Sequence, residues 1–420
     1  MTLSDIIEPH IRGFTRIGFI ERSLFGCITH QVHIQTDTHV AIKHSLRSSL
    51  VGGCSTNIRV NNLTENVERE VRILQYLHAS SQRSLCRMAQ LAGVINGLSE
   101  RTTVMLCVNQ TAQRSVYRGR KYIVKCLGAW YDKTCFHSAF EHLTGGDVFN
   151  LFNELPSRFL GVNNVRRIFT QLCRAVQFMH ANCIAHLDIG VENMCIDNKG
   201  TVRLIDFGLA VQHPAVRQLL SCNFDFVKRT TDAVTAASQS QSQPQNATCT
   251  SEPNDPFGSP HIKLLHPNTH VVSTCRQSEC KSCRQTFLRD RMPSPTEASF
   301  EVRRSMPFMC RPICVTKSSP GKPNCMAPEV FGRECFDAYA ADCFSLGCVL
   351  YILSTGSRAF NVPTHDDDGF AKLYNNPRAD EFMPSIIHSD ARDLIRSLLV
   401  SQEQRPTIDV ILQHPFLMKQ

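Results

Sequence analysis

Residues 186–208 read HLDIGVENMCIDNKGTVRLIDFG, a segment in which two short apolar runs stand between polar residues. The runs are Met194–Ile196 and Val202–Ile205, and Asp197–Gly200 separates them. Asp, Asn and Gly are the residues that tight turns favour, so the pattern predicts a small β-hairpin. The hairpin would hold the polar residues on either side of it at one place in the fold.

Three polar side chains stand at the ends of this predicted hairpin. Asp188 and Asn193 lie five positions apart on the loop before it, and Asp206 follows its second strand directly. Phosphoryl transfer needs a carboxylate beside the attacking hydroxyl, oxygen ligands for Mg²⁺ and a cation on the phosphates. Taken alone, the loop is equally typical of an ordinary turn rich in Asp and Asn.

The sequence before this segment is predicted to be β-rich. Cys27–Ile34 and Thr38–Lys43 have the composition of strands, and Gln35–Asp37 between them has the composition of a turn. Lys121–Gly128 and Cys135–Phe140 are predicted to be further strands. A single helix interrupts them at Leu63–His78, with Val67, Val71, Leu74 and His78 on one face.

The sequence after residue 144 is predicted to be mainly helical. Val165–Asn182 is strongly amphipathic, and the chain from Ala341 onward has helical spacing. Two segments lack such patterns, Ala79–Gly119 and Val211–Val315. The second contains Ser-Gln repeats of low complexity, which cannot bury enough apolar surface to order themselves.

Further motifs follow in a definite order: Ala327-Pro328-Glu329, then Asp342 at the opening of a helix, then Arg405-Pro406. Together with Val40-Ala41-Ile42-Lys43, the Asp188–Asn193 loop and Asp206-Phe207-Gly208, they resemble the eukaryotic protein kinase family. The resemblance covers about residues 14–417, apart from the two patternless segments. It implies an α+β, bilobal fold. The N-lobe would span residues 1–143 with an insertion at about 79–120, and the C-lobe residues 144–420 with a disordered insertion at about 211–315.

The resemblance also implies the cofactors and the catalytic residues. ATP with Mg²⁺ would bind between the lobes, and Asp188 would accept the proton of a protein hydroxyl. Lys43 would bind the α- and β-phosphates and be held by Glu70, while Asn193 and Asp206 would ligate Mg²⁺ through oxygen. The residues implied around the nucleotide are Gly26, Ile28, Ala41, Glu141, Leu143, Asp147 and Cys195, with Phe140 at the gatekeeper position. Glu329, Arg405 and Asp342 would have structural roles.

The chain departs from the family pattern at the glycine-rich loop. Residues 21–26 read ERSLFG, so only Gly26 remains where the family has three glycines. Glycine lets backbone N–H groups approach a phosphate closely, and Glu21 would repel it, so weak ATP binding or a differently packed loop is expected.

Two further departures concern the catalytic loop. Gly190 stands where the serine/threonine branch has Lys, and Lys322 stands where that branch has Thr. One hypothesis is that Lys322 returns the missing cation from the other side of the site; the alternative is that it points to solvent. Leu187 replaces the Arg that usually precedes the catalytic Asp. These features are also similar to the FIKK kinases of apicomplexan parasites, although Ala41-Ile42-Lys43 is not their namesake motif.

Composition limits the other classes of function. The 420-residue chain is 42 % hydrophobic, and its net charge of +8 is concentrated between residues 258 and 315, so we expect no nucleic-acid-binding face. No apolar run reaches the ~20 residues of a membrane span, and no leader is visible. Twenty scattered cysteines indicate reduced thiols and a cytoplasmic or nuclear protein. A structural zinc on Cys275, Cys280, Cys283, Cys310 and Cys314 is a weaker alternative, because the second pair is loosely spaced.

The sequence therefore predicts an ATP-dependent protein kinase with protein substrates, serine or threonine preference and a monomeric catalytic unit. The alternative is a pseudokinase, a nucleotide-binding or partner-recruiting module, which the lost glycines favour. Retention of Lys43, Asp188, Asn193 and Asp206 argues against it. Transfer to a small molecule is disfavoured by Ala327-Pro328-Glu329.

Overall fold

The structure is a computed structural model that describes residues 11, 13–46, 66–79, 116, 118–132, 134–154, 160–212, 314–315 and 320–418. The two predicted insertions, at about 79–120 and 211–315, lie almost entirely outside these residues. So do the side chains of the five cysteines considered for zinc. The described residues form an antiparallel sheet followed by a mainly helical part, which confirms the predicted α+β arrangement.

The N-terminal sheet has five antiparallel strands in the order β1-β2-β3-β5-β4. Its strands are β1 (Phe14–Ser23), β2 (Gly26–His33), β3 (Thr38–Leu46), β4 (Cys126–Tyr131) and β5 (Cys135–Glu141). The strands predicted at Cys27–Ile34 and Thr38–Lys43 are confirmed as β2 and β3. Leu24 and Phe25 form the turn between β1 and β2, where Ser23 pairs with Gly26.

The strand predicted at Lys121–Gly128 is wrong in its first half. Arg118–Tyr122 is a short 3-10 helix, and β4 begins only at Cys126. The apolar residues between them pack elsewhere: Ile123 is bridged to Leu204, and the Val124 amide donates to the Leu204 carbonyl at 3.0 Å. The apolar run is therefore buried against the helical part of the protein rather than paired within the sheet.

Helix α1 (Val67–Ala79) packs against the sheet as its spacing predicts. Val67 and Val71 are buried in one cluster with Ala129 and Phe136. On the same face, Leu74 is buried and His78 Nε2 donates to the Val124 carbonyl at 2.9 Å. The helix is thereby held in a fixed position relative to the strands, which matters for Glu70 at its centre.

The helical part is built around one apolar helix, α5. Its helices are α2 (Val148–Glu154), α3 (Val162–Ala181), α4 (Pro328–Phe331), α5 (Ala338–Thr355), α6 (Asp368–Leu373), α7 (Ser389–Leu398), α8 (Ile408–Ile411) and α9 (Pro415–Met418). Its strands form three short antiparallel pairs, β6 (Ile184–Ala185) with β9 (Val211–Gln212), β7 (Met194–Ile196) with β8 (Val202–Leu204), and β10 (Cys314–Val315) with β11 (Phe336–Asp337). Within the described ranges, α5 alone is long and apolar enough to cross a membrane, and 83 % of it is buried inside the protein. It therefore forms the centre of the core.

A chain of hydrogen bonds runs through the N-terminal sheet. Asp132 Oδ2 accepts from His137 Nε2 at 2.8 Å, and His137 Nδ1 lies 2.8 Å from His44 Nδ1. His44 Nε2 is in turn 2.8 Å from Thr29 Oγ1, which accepts from Gln31 Nε2 at 2.9 Å. Burial, with a smaller contribution from His137, lowers the pKa of His44 from 6.5 to about 3. His44 therefore stays neutral in the folded protein.

Acid is expected to destabilise the sheet through His44. Because the folded pKa lies below the unfolded value of 6.5, the unfolded state binds the extra proton first, and stability falls as pH drops below 6.5. Lowering the pH from 7 to 5 should reduce the free energy of unfolding by about 2 kcal/mol through this group. Urea unfolding at several pH values measures it.

The test variant is His44→Gln, in which the pH slope should become shallower than in wild type. An identical slope in wild type and His44→Gln would show that His44 does not cause the acid sensitivity.

Candidate active site

Lys43 lies in β3, and its side chain is on the face of the sheet that is turned towards the helical part. Its Nζ is 3.1 Å from Glu70 Oε2 and 3.8 Å from Asp206 Oδ1. Glu70 is also fixed by the backbone, since its Oε1 accepts from the Phe207 amide at 3.2 Å. Lys43 and Glu70 are both nearly fully buried, whereas the Asp206 side chain is 40 % exposed. The ammonium thus joins the sheet, α1 and the segment after β8 at one point.

Asp188 and Asn193 meet on the loop between β6 and β7. Asn193 Nδ2 donates to Asp188 Oδ2 and to the Asp188 carbonyl, both at 2.7 Å. Two short bonds from one amide close the loop into a fixed turn. Because Nδ2 makes both bonds, the side-chain atom of Asn193 that is left for a ligand is its amide oxygen, Oδ1. Oxygen is the ligand type that Mg²⁺ prefers.

Asp342 on α5 accepts hydrogen bonds from the backbone at the start of this loop. This carboxylate is fully buried and accepts from the His186 amide at 2.9 Å, the Leu187 amide at 2.8 Å and His180 Nε2 at 2.9 Å. Leu187 has a φ of 65°, a left-handed conformation that is unfavourable for a branched residue. The buried acceptor compensates for that strain and fixes the backbone directly before Asp188.

Asp206 also has a left-handed backbone, with a φ of 60°. Its Oδ1 accepts from the Gly208 amide at 3.3 Å. Burial alone raises the pKa of Asp206, but the Lys43 ammonium and, to a smaller degree, His186 bring it below its ordinary value. Asp206 is therefore a carboxylate at neutral pH, with the charge and the oxygen donors that suit Mg²⁺.

Lys322 contacts the Asp188–Asn193 loop from a distant segment of the chain. Its Nζ lies 3.5 Å from Asp188 Oδ2 and 3.4 Å from Glu192 Oε1. The segment is fixed by its neighbour Gly321, which has a φ of 93° and on which a Cβ would lie 2.5 Å from the Leu187 carbonyl oxygen. A side chain at that position cannot be accommodated, so residue 322 is held against the loop.

The charge of Lys322 is maintained by the carboxylates around it. Burial alone lowers the pKa of Lys322, but Asp188 and then Glu192 and Asp206 raise it above its ordinary value. A Cβ on Gly190 would lie 2.8 Å from Glu192 Oε2, so the missing side chain at 190 leaves the space that Glu192 uses to reach Lys322. Gly190 and Lys322 are thus linked through Glu192, because the glycine leaves room for the carboxylate that contacts the lysine.

Two of the residues implied for the adenine lie on the same face of the sheet as Lys43. Ile28 pairs with Lys43 in the sheet, and side chains two positions apart on a strand share a face, so Ile28, Ala41 and Lys43 face the same way. On the opposite side, Cys195 lies in β7, and burial, with contributions from Asp147 and Glu21, raises its pKa to about 12. Cys195 therefore offers a neutral thiol rather than a charge.

The connection Glu141–Leu143 between the two parts is held from both sides. The Glu141 amide donates to the Lys125 carbonyl at 3.1 Å, and Glu141 Oε1 accepts from the Lys125 amide at 3.0 Å. Phe140, the residue implied as gatekeeper, is buried immediately before it. We call Glu141–Leu143 the hinge.

Asp147 and Gly26 have structural contacts that the sequence did not indicate. Both oxygens of Asp147 accept from Asn150, at 2.6 Å from its amide and 2.6 Å from its side chain, so Asp147 caps the start of α2. A Cβ on Gly26 would lie 2.0 Å from the His44 carbonyl oxygen. Gly26 is therefore required by the close approach of β2 and β3, independently of any phosphate.

Arg405 and Glu329 form the buried ion pair that the motifs imply. Arg405 Nη1 donates to Glu329 Oε1 at 2.7 Å, and Nη2 donates to Oε2 at 3.3 Å. The same guanidinium donates to the carbonyls of Ala340 and Val400, each at 2.8 Å. The Arg405 side chain has no exposed surface, so this pair connects α4, α5 and the segment after α7 inside the core.

The site thus brings together two ammonium groups, four carboxylates and an amide around one cleft. A model of the protein kinase domain matches residues 109–225 and 307–417, slightly more than half of the chain. The chain belongs to the protein kinase family. The matched residues contain the Asp188–Asn193 loop and Asp206, whereas Lys43 and Glu70 lie before them.

Several curated kinases are similar to the chain. Serine/threonine-protein kinase CBK1 of Saccharomyces cerevisiae is 26 % identical over 318 residues, which are 73 % of this chain and 36 % of the yeast protein. CBL-interacting serine/threonine-protein kinase 13 of Arabidopsis thaliana is 35 % identical over 97 residues, 23 % of this chain and 19 % of that protein. CBL-interacting protein kinase 4 of rice is 38 % identical over 77 residues, 18 % of this chain and 17 % of that protein.

The chain spans about a third or less of the length of these relatives. Sequence reasoning missed one functional contact of this site, the one between Glu192 and Lys322. The two residues are 130 positions apart, and no spacing within either motif indicates that they meet.

Proposed function

We propose that this kinase uses Mg²⁺ and ATP to phosphorylate serine or threonine hydroxyls of proteins. The observation that carries the proposal is the meeting of Lys43, Glu70 and Asp206 on one side of the cleft, with Asp188 and Asn193 on the other side. Such an arrangement suits a reaction in which positioning and electrostatic stabilisation do most of the work.

Each side chain has a defined task in the proposal. Asp188 accepts the proton of the attacking hydroxyl, while Lys43 binds the phosphates and is oriented by Glu70. Asn193 and Asp206 offer the hard oxygen donors that Mg²⁺ requires, and the bound ion neutralises the charge of the phosphates. The γ-phosphoryl group passes to the hydroxyl oxygen and ADP leaves.

The preference for serine and threonine rests on two of these relatives, the yeast and Arabidopsis proteins, which are serine/threonine-protein kinases by name. Gly190 and Lys322 are the two positions that differ from that branch. The pairing of Lys322 with Asp188 supports a site in which one cation has moved from the catalytic loop to the segment facing it.

A second candidate is a nucleotide-binding scaffold without transfer activity. It is favoured by Glu21 on β1, which lies close enough to Cys195 to raise the pKa of that thiol. A carboxylate above the cleft repels phosphate. The test is incorporation of phosphate from Mg²⁺-ATP into the chain itself and a generic protein substrate. Incorporation that is lost in Asp188→Asn supports the kinase, and nucleotide binding with no incorporation supports the scaffold.

Replacing Lys322 with Met is expected to slow phosphotransfer by about 100-fold, because one cation beside the reacting phosphoryl group is removed. The measured quantity is kcat at saturating ATP. Adding Gly190→Lys to the Lys322→Met protein should recover part of the rate, since it returns a cation to the loop.

Lys199→Met, at an exposed turn of the β7–β8 hairpin, is the control for loss of a lysine. If Lys322→Met is as active as Lys199→Met, then the cation at 322 does not assist transfer.

A further inference from the structure

Three histidines from different strands gather beside the hinge. His30 is in β2, His39 is in β3 and His142 lies within the hinge. The register explains the meeting: His30 pairs with Ala41 and His39 with Val32, so both side chains are on one face of the hairpin at diagonal positions. Val40 pairs with Glu141 of β5, which brings the next residue, His142, to the same place. We call these residues the histidine cluster.

The ring nitrogens of the cluster are close together. One ligand atom from each histidine lies within 4.8 Å of the other two. His30 Nε2 is 2.8 Å from His39 Nδ1, and the rings of His30 and His142 are stacked with centroids 3.8 Å apart. Three imidazoles therefore share one small volume without an acidic partner among the contacts that define the cluster.

His142 is held in an unusual state for a polar side chain. Its Nδ1 is buried and has no hydrogen-bond partner within the described part of the chain. A buried nitrogen without a partner has lost its hydrogen bond to water and gained none, so the arrangement is unfavourable unless another group satisfies that nitrogen. Besides the clustering of the rings, the unpartnered Nδ1 of His142 therefore indicates a ligand at this position.

The chemistry of the cluster suits a transition metal. Neutral imidazole is the commonest metal ligand in proteins, and zinc sites with three histidines keep the fourth position for water. With zinc–nitrogen bonds of about 2.0 Å, tetrahedral ligand atoms are about 3.3 Å apart, so the nitrogens need to move by an ångström or so. The stacked rings of His30 and His142 must also tilt apart, because their in-plane lone pairs cannot meet at one ion while the rings are parallel. His39 is exposed and gives the ion access.

The hydrogen bond between His30 and His39 does not prevent metal binding. The proton that now joins His30 to His39 moves to the other nitrogen of its own ring when both atoms become ligands, so binding needs no oxidant and no net loss of a proton.

We propose that His30, His39 and His142 bind one divalent metal ion of the Zn²⁺ class, which ties the hinge to the β2–β3 hairpin. The hairpin carries Ile28, Ala41 and Lys43, whereas the hinge connects it to the helical part. An ion at this point would fix the two sides of the adenine cleft relative to each other. The site is separate from Asn193 and Asp206 and takes a softer ion than Mg²⁺.

The test counts Zn²⁺ bound to the full chain. Protein stripped with a chelator is titrated with Zn²⁺ in competition with a chromophoric chelator, without ATP. His39→Gln and His142→Gln should each bind one equivalent fewer than wild type, or bind that equivalent more than about 100-fold more weakly. The control is His33→Gln, a histidine of β2 outside the cluster.

The number of ions bound by the cluster is taken as the difference between wild type and variant, because the chain also has 20 cysteines and thiolates are zinc ligands. Co²⁺ supplies a second readout: the equivalent lost in the variants should lack sulfur-to-metal charge transfer. Zn²⁺ should also raise the melting temperature of wild type more than that of His39→Gln.

The proposal is overturned if wild type and both cluster variants bind the same number of ions with the same affinity. It is also overturned if the equivalent that disappears has thiolate ligands. The titration is repeated with Asp188→Asn, and the same number of bound Zn²⁺ ions as in wild type is expected. Metal binding by the histidine cluster does not depend on whether the chain transfers phosphate.

Discussion

Asp188→Asn is expected to lower kcat for phosphotransfer by about 10³-fold, the usual contribution of a positioned general base. Asparagine keeps the size of the side chain and can still contact Asn193, but it cannot accept the hydroxyl proton. It also removes the negative charge that faces Lys322 at 3.5 Å. ATP affinity should change much less than kcat, since Lys43, Glu70 and Asp206 are untouched.

The control variant is an aspartate outside the site that is also replaced with asparagine. Asp366 is exposed on the loop before α6, so Asp366→Asn should keep the wild-type rate and the wild-type melting temperature. Equal phosphate incorporation by wild type and Asp188→Asn, with both proteins folded, would remove the enzymatic function that we propose.

Arg405→Met should destabilise the protein by about 3–5 kcal/mol, the usual effect of breaking a buried ion pair from one side. Methionine fills much of the space but leaves the Glu329 carboxylate without its cation. The carbonyls of Ala340 and Val400 lose their donors at the same time. Urea unfolding, followed by intrinsic fluorescence and circular dichroism, measures the loss.

Two variants separate this effect from a general effect of losing an arginine. Arg378→Met breaks an exposed pair with Glu381 and should change stability little. Glu329→Gln combined with Arg405→Met should be more stable than Arg405→Met alone, because the unpaired buried charge is gone. A double variant no more stable than the single one would contradict the assignment of the cost to the charge.

The positions of the site residues were predictable from short motifs, whereas their roles are those that the resemblance to the kinase family implies. Asp206 follows a strand, and Asp188 and Asn193 lie on one loop, so their relative positions follow from local structure. Lys43 and Glu70 come from a strand and a helix whose spacing is clear in the sequence. The structure brings these five residues to one cleft.

Contacts that depend on register or on distant segments were not predictable. The histidine cluster exists because β2 and β3 pair with His39 opposite Val32, and no single histidine indicates that pairing. The run at Lys121–Gly128 was misassigned because its apolar residues pack on Leu204, far along the chain. The cap that Asp147 forms on α2 was also missed, since a carboxylate after two glycines fits a ribose contact equally well.

The three hydrogen bonds accepted by Asp342 have a consequence for how the protein should respond to heat. The backbone directly before Asp188 is hydrogen-bonded to α5, a helix buried in the core, and not to a surface loop. Local unfolding of surface segments therefore leaves the backbone next to Asp188 in place. Catalysis should persist almost to the melting temperature and then disappear together with the core, rather than fade in advance of it.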